Sequence, residues 1–291
     1  MYSDIELHNI GSLPIFDGKE LHYEKNTSIQ VKDGIITNIG SPATAKSIDC
    51  KGKLVTPGFV DSHTHPIFDN TRNSEHQQRL SGVSYEEIAK NGGGIVSSIN
   101  GVRMSSAEEL YLKALKRMDR FISLGTTSIE AKSGYGLDTE SELKSLEVIE
   151  KTNSNHCIDL TPTFMGAHAF PPEYENDHEG YVRLIIKDMI PRVAHQGIAK
   201  YIDVFCEEGY FSIDQTRSIL ECGREHGLTP RIHADEFNNF GASQLASDVG
   251  AVSADHLMAI DDNSIQSLIE NNVVATLLPG TTFFLNKKTY A

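Results

Sequence analysis

The chain has 291 residues, 39% of them hydrophobic, which is long enough for one large core and a small appendage. Its formal net charge of -14 supplies no basic stripe for nucleic acid and disfavours an anionic membrane surface, so a small-molecule substrate is the better-suited partner. The four cysteines, Cys50, Cys157, Cys206 and Cys222, form no Cys-x-x-Cys pair, and with neither a signal peptide nor a long apolar span the expected compartment is a reducing cytoplasm.

The first residues alternate in polarity without helical period: Ile5-Glu6-Leu7-His8-Asn9-Ile10, then Thr27-Ser28-Ile29-Gln30-Val31, then Ile35-Ile36-Thr37-Asn38-Ile39. Asp33-Gly34 between the last two runs is a hairpin signal, so residues 1–53 are expected to form a small β-domain, the N-terminal part of a β-sandwich.

Strands then alternate with helical patterns, the rhythm of βα units on a parallel sheet. Strands are predicted at 54–60, 126–131, 157–163, 201–206, 228–232, 251–254 and 273–277, with helices at 106–124, 139–152, 179–195 and 213–226. The helix at 106 opens on Ser-Ala-Glu-Glu, which resembles a capping box. Seven strands in this order predict an α/β fold, a (β/α)8 TIM-like barrel over residues 54–291 that lacks strand eight.

The strand at 54–60 runs into Val60-Asp61-Ser62-His63-Thr64-His65-Pro66. Alternate residues of a strand share a face, so His63 and His65 can chelate one ion. A lone His-x-His is explained equally well by two hydrogen-bonded histidines. The metal reading gains weight because two later apolar segments also end in histidine, at His233 and His256. Barrel chemistry gathers at the C-terminal ends of strands, which separates His63, His65, His168, His233 and His256 from His8, His22, His76, His156, His178, His195 and His226, expected to be surface or packing residues.

Pro57-Gly58-Phe59-Val60-Asp61-Ser62-His63-Thr64-His65 resembles the opening metal motif of the amidohydrolase superfamily. Within it, the chain resembles the imidazolonepropionase family over nearly its whole length. The likeness is carried by Arg72-Asn73-Ser74-Glu75, Tyr85-Glu86-Glu87-Ile88, Gly92-Gly93-Gly94-Ile95, Lys132-Ser133-Gly134-Tyr135-Gly136-Leu137, Gly166-Ala167-His168-Ala169, His233-Ala234-Asp235-Glu236 and Ser253-Ala254-Asp255-His256. The resemblance implies opening of the imidazolone ring of 4-imidazolone-5-propanoate to N-formimino-L-glutamate. It also implies one zinc or iron ion per chain, held by His63, His65 and His233. Arg72, Tyr135, His168 and Glu236 match substrate-binding positions, Glu236 and His256 match catalytic ones, and a homodimer is open as the assembly. Superfamily members with a bridged metal pair have a carbamylated lysine at the end of strand four. Residues 202–208 offer none, which favours a single ion. The family's fourth ligand is an aspartate at the end of strand eight, and the chain reaches Ala291 before such a strand.

Each residue type suits its implied role, and each has a plainer reading. An arginine fork binds a carboxylate in bidentate fashion, although an arginine in a polar loop is usually solvated. Glycines around Tyr135 permit a backbone that closes an aromatic ring over a ligand, or a simple turn. Glu236 can carry a proton to the departing ring nitrogen, or simply sit at a helix N-terminus. His256 can orient or deprotonate a water, or act as a hydrogen-bonded barrel residue. Gly92-Gly93-Gly94 lacks the Walker spacing and lysine of a phosphate loop, so a mobile active-site loop or a linker is expected. The competing functions are an aminohydrolase acting on a heterocyclic base and a non-catalytic ligand-binding remnant.

Overall fold

The computed structural model describes residues 4–40, 47–83, 93 and 95–285. The runs at 85–88, Gly92 and Gly94 lie outside the described residues. The chain divides into two compact units, Met1–Gly58 and Phe59–Ala291.

In the first unit, β1 (Ile5–Phe16), β2 (Leu21–Lys32), β3 (Ile35–Ile39) and β4 (Ser47–Asp49) form one sheet in the order β3-β2-β1-β4. The turn from β2 to β3 places Asp33 at φ 51 and Gly34 at φ 80, the paired left-handed residues that match the twist of a two-residue hairpin. Ile10, Leu13 and Ile29 form its core. The sequence rhythm starts the next strand at residue 54, but Leu54 bridges to Ser12 and the Val55 amide donates to the Ser12 carbonyl at 3.0 Å. These contacts keep residues 54–58 with the first unit, and the next strand begins at Phe59.

In the second unit, seven parallel strands follow one another across the sheet in chain order. They are β5 (Phe59–Thr64), β6 (Thr126–Lys132), β7 (Asp159–Ala167), β8 (Tyr201–Cys206), β9 (Thr229–Ala234), β10 (Ser253–His256) and β11 (Val274–Leu277). This is the nearly closed parallel barrel that the rhythm predicts. Among the described residues β5 and β11 each have one strand neighbour, and Phe59, Val60, Val274 and Leu277 on them are at least half exposed. Several strands run further than predicted. In β9 and β10 the ladder pairs His233 with Asp255 and Ala234 with His256, so the polar side chains at the strand ends do not interrupt backbone pairing.

The helices follow their local signals. Helix α1 spans Asn73–Leu80 and α2 spans Ile95–Met104, while α3 (Ala107–Ser123) starts at Ser106 with both bonds of a capping box to Glu109. Helix α4 (Thr139–Asn155) is capped by Asp138. The helix predicted at 179–195 is instead His178–Leu184 and Ile190–Gln196 joined by a π-helical turn, Ile185–Met189. Pro191 has no N–H, and the wider turn absorbs the break: the Ile190 amide reaches back to the Ile185 carbonyl. One apolar cluster joins strand residues such as Ile129, Phe164, Ile202 and Ile232 to helix residues such as Leu110, Met118 and Leu146. No helix among the described residues is long and apolar enough to cross a membrane.

Candidate metal centre

Strand β5 delivers His63, whose side chain is 4% exposed and whose Nδ1 donates to Asp255 Oδ2 at 2.7 Å. Strand β9 delivers His233, whose Nδ1 lies 3.0 Å from Asp203 Oδ1. A carboxylate partner places the imidazole proton on Nδ1 and leaves Nε2 as a lone pair, the tautomer a metal ligand requires. His233 Nε2 lies 3.4 Å from His65 Nε2. Two groups of three histidines can each bring ring nitrogens within 4.8 Å of one another: His63, His233 and His256, and His65, His168 and His233. The predicted set of His63, His65 and His233 is thus divided between two triads that share His233. A donor set this rich in imidazole fits a first-row transition ion, and the carboxylate-held Nδ1 atoms of His63 and His233 support that fit.

Burial favours the neutral form of His63, His65, His168 and His256. It pushes His63 down to about 3, helped by the Lys132 cation and His233, and pushes His168 down to about 3, helped by His233. His65 and His256 are also held well below the usual histidine range, first by burial and then by His168 and His233 respectively. A neutral ring is the form that coordinates a metal.

Beneath the histidines lies a buried ionic network that the sequence reading did not find. Lys132 has no exposed surface, and its Nζ lies 2.8 Å from Glu130 Oε1, 2.5 Å from Asp203 Oδ2 and 3.8 Å from Asp255 Oδ2. Arg231 Nη2 donates to Asp255 Oδ2 at 2.9 Å and to the Ser62 carbonyl at 2.8 Å. Burial alone would lower the Lys132 pKa, but Asp203, Glu130 and Asp255 together raise it. Burial likewise works against Asp203 and Asp255 as anions. His233 and Lys132 hold Asp203 well below the carboxylate range, and the hydrogen bond from His63 to Asp255, together with the Lys132 charge, does the same for Asp255. The available signal was charge recurring at alternate positions near the ends of apolar strands, as in Glu130 and Lys132 or Arg231 and His233.

All eight predicted site residues line one cavity of about 370 Å³: His63, His65, Arg72, Tyr135, His168, His233, Glu236 and His256. Arg72 comes from the segment before α1 and Tyr135 from the loop after β6. His168 follows β7, donates from Nδ1 to the Gly134 carbonyl at 2.8 Å, and stacks on His65 with centroids 4.7 Å apart. Glu236 Oε1 lies 3.6 Å from His256 Nδ1. His256 has φ 78, an uncommon left-handed conformation for a residue with a side chain, at the point where the chain leaves β10. In a regular strand Asp255 and His256 would face opposite ways. Here the turn brings Asp255 to His63 while His256 joins the histidine group.

No family model matches the chain. It is 46% identical over 280 residues to an imidazolonepropionase of Geobacillus sp. strain WCH70, a match that covers 92% of this chain and 66% of that one. It is also 46% identical over 287 residues to an imidazolonepropionase of Brevibacillus brevis, covering 94% of this chain and 68% of the relative. The chain belongs to the imidazolonepropionase family. It spans just under two thirds of the Geobacillus imidazolonepropionase, at 66%. Among solved structures, 5-methylcytosine deaminase from Klebsiella pneumoniae, liganded with phosphonocytosine, superposes with a TM-score of 0.67 at 18% identity, over 93% of this chain and 65% of that one. At that identity the likeness is one of fold, and it agrees with the barrel described above.

Proposed function

We propose that this chain carries the metal-binding and substrate-binding part of an enzyme that hydrolyses 4-imidazolone-5-propanoate to N-formimino-L-glutamate. The observation that carries the reading is the convergence of Arg72, Tyr135, His168, Glu236 and His256 on the cavity that also holds His63, His65 and His233. We assign Met1–Gly58 as the N-terminal part of a small β-domain and Phe59–Ala291 as the hydrolytic barrel. His63, His65 and His233 would hold one zinc or iron ion, which would supply a water of lowered pKa and a polarised carbonyl oxygen.

The chain's own residues supply orientation and proton transfer. Arg72 presents a guanidinium fork to the propionate, and Tyr135 and His168, whose rings lie 5.2 Å apart, bound the ring in the same cavity. Glu236 takes a proton from the attacking water and returns it to the departing ring nitrogen, and His256, whose Nδ1 lies 3.6 Å from Glu236 Oε1, orients that water. Phe205, Tyr210 and Phe237 line the same cavity and restrict other water. The four free thiols suit a cytoplasmic setting.

The test is turnover of 4-imidazolone-5-propanoate by purified protein carrying about one equivalent of zinc or iron. Two equivalents would sink the single-ion reading, and faster turnover of cytosine or guanine would replace the substrate assignment. Arg72→Ala is expected to cost on the order of 2 to 4 kcal/mol in kcat/KM, because it leaves the propionate without its charge partner. A substrate analogue lacking the propionate arm should lose much less on the same substitution. Equal losses on both compounds would show that Arg72 does not read the carboxylate.

A further inference from the structure

Glu142 lies four residues into α4 and has no exposed surface, in a position whose helical pattern gives no hint of a role. Its carboxylate faces the loop between β6 and α4. Oε1 accepts from the amides of Gly136 at 2.9 Å and Leu137 at 3.0 Å, and the Gly134 amide reaches Oε1 at 3.2 Å and Oε2 at 2.9 Å. The Ser133 side chain also bonds to it, while Ser133 Oγ accepts the Met165 amide at 2.9 Å. Arg103 holds the same loop by its carbonyls, donating from Nε to Gly136 at 2.7 Å and from Nη2 to Leu137 at 3.1 Å. The backbone is therefore fixed through its N–H groups by an anion and through its carbonyls by a cation.

The conformation held this way is an unusual one. Gly134 has φ +100 and Leu137 has φ 53, and a Cβ on Gly136 would come within 2.4 Å of Ser141 Cβ. A loop with two left-handed residues and no room against its helix does not hold this shape by local preference. Two cavity residues depend on it. Tyr135 sits between the amides that Glu142 accepts, and the Gly134 carbonyl fixes the proton of His168 on Nδ1, leaving Nε2 as the acceptor.

We propose that Glu142 is a positioning residue for substrate binding: by gathering the amides of Gly134, Gly136 and Leu137, it sets the placement of Tyr135 and the orientation and tautomer of His168 before substrate arrives. The proposal rests on the substrate-binding reading of Tyr135 and His168. Glutamine has nearly the same shape but offers one acceptor oxygen and sets an amide nitrogen against backbone donors, so it tests the contacts rather than the volume.

The experiment is amide hydrogen exchange on the metal-loaded protein and its Glu142→Gln variant, with Tyr135→Phe made in both backgrounds. Exchange at Gly134, Gly136 and Leu137 is expected to quicken by about 100-fold in Glu142→Gln, while amides of β6 and β8 and the metal content stay unchanged. Turnover of 4-imidazolone-5-propanoate should fall in kcat/KM by about 100-fold, the scale of a displaced binding group. Tyr135→Phe should then cost less in the Glu142→Gln background than in the parent, because the two act as a unit. Loop amides that exchange as before, or a Tyr135→Phe penalty equal in both backgrounds, would overturn the proposal. If Glu142→Gln unfolds throughout, Arg103→Ala serves instead. It releases the carbonyl side of the loop from a partly exposed position and should quicken exchange at the same amides. A parent protein that fails to turn over the imidazolone defeats the substrate assignment alone, and loop exchange then decides the role of Glu142.

Discussion

Replacing His233 with alanine is expected to remove metal binding altogether. His233 is one of the three proposed ligands and is common to both histidine triads, so its loss leaves neither group with three imidazoles. Its Nδ1 contact with Asp203 also fixes the ring, so the ligand and its outer support are lost together. The loss should exceed the roughly 10- to 100-fold penalty that follows removal of an outer-shell partner alone. Elemental analysis after dialysis against a weak chelator reads the result, with circular dichroism as the check on folding. Retention of near one equivalent of zinc or iron by His233→Ala would mean that the ion sits elsewhere. Asp203→Asn should lie between the parent and His233→Ala, because it keeps the ligand and weakens only its orientation.

The second large effect is expected from Lys132→Met, this time in stability. Lys132 is fully buried and lies against Glu130, Asp203 and Asp255, so removing its charge leaves three buried carboxylates with Arg231 as their remaining cationic side chain among these partners. Breaking a buried ionic group by deleting one partner typically costs about 3 to 5 kcal/mol, a large share of the 5 to 15 kcal/mol roughly available to a folded domain. Urea denaturation of the metal-free protein should show the midpoint falling with little change in slope. A companion variant, Lys132→Met with Asp203→Asn, removes opposite charges together and should recover part of the stability. It should still bind metal weakly, since His233 loses its ionised partner. A Lys132→Met protein as stable as its parent would show that the network contributes nothing to folding. Equal metal affinity in parent and companion would separate the network from the metal centre.

The histidines were legible in the sequence because strand geometry is local. Period two places His63 and His65 together, and the recurrence of apolar runs ending in His233 and His256 marks strand ends that a parallel barrel gathers on one rim. Capping chemistry at Ser106 and the Asp33-Gly34 turn were legible for the same reason, since each is decided by a few neighbouring residues. Arg72, Tyr135 and His168 drew their implied roles from motif resemblance, because a loop arginine or tyrosine has no periodicity that marks it. Strand limits were harder to read. The polar residues at the ends of β9 and β10 look like the start of a loop, yet their backbone groups still pair.

Only the tertiary structure decided what lies under the rim. Glu130 and Lys132 belong to β6, Asp203 to β8, Arg231 to β9 and Asp255 to β10, and in sequence a charge in a short apolar run, even the alternate pair Glu130 and Lys132, does not show which strand supplies its partner. Parallel pairing in register brings their inner faces together, and burial then makes mutual pairing the only low-energy arrangement. The same holds for Glu142, whose helical position predicts a solvated carboxylate but whose neighbours are the amides of a loop folded back onto α4. His256 shows why the alternation rule stops at a strand end: φ of 78 turns it from the face that period two assigns, and that angle is set by the packed surroundings rather than by the residue.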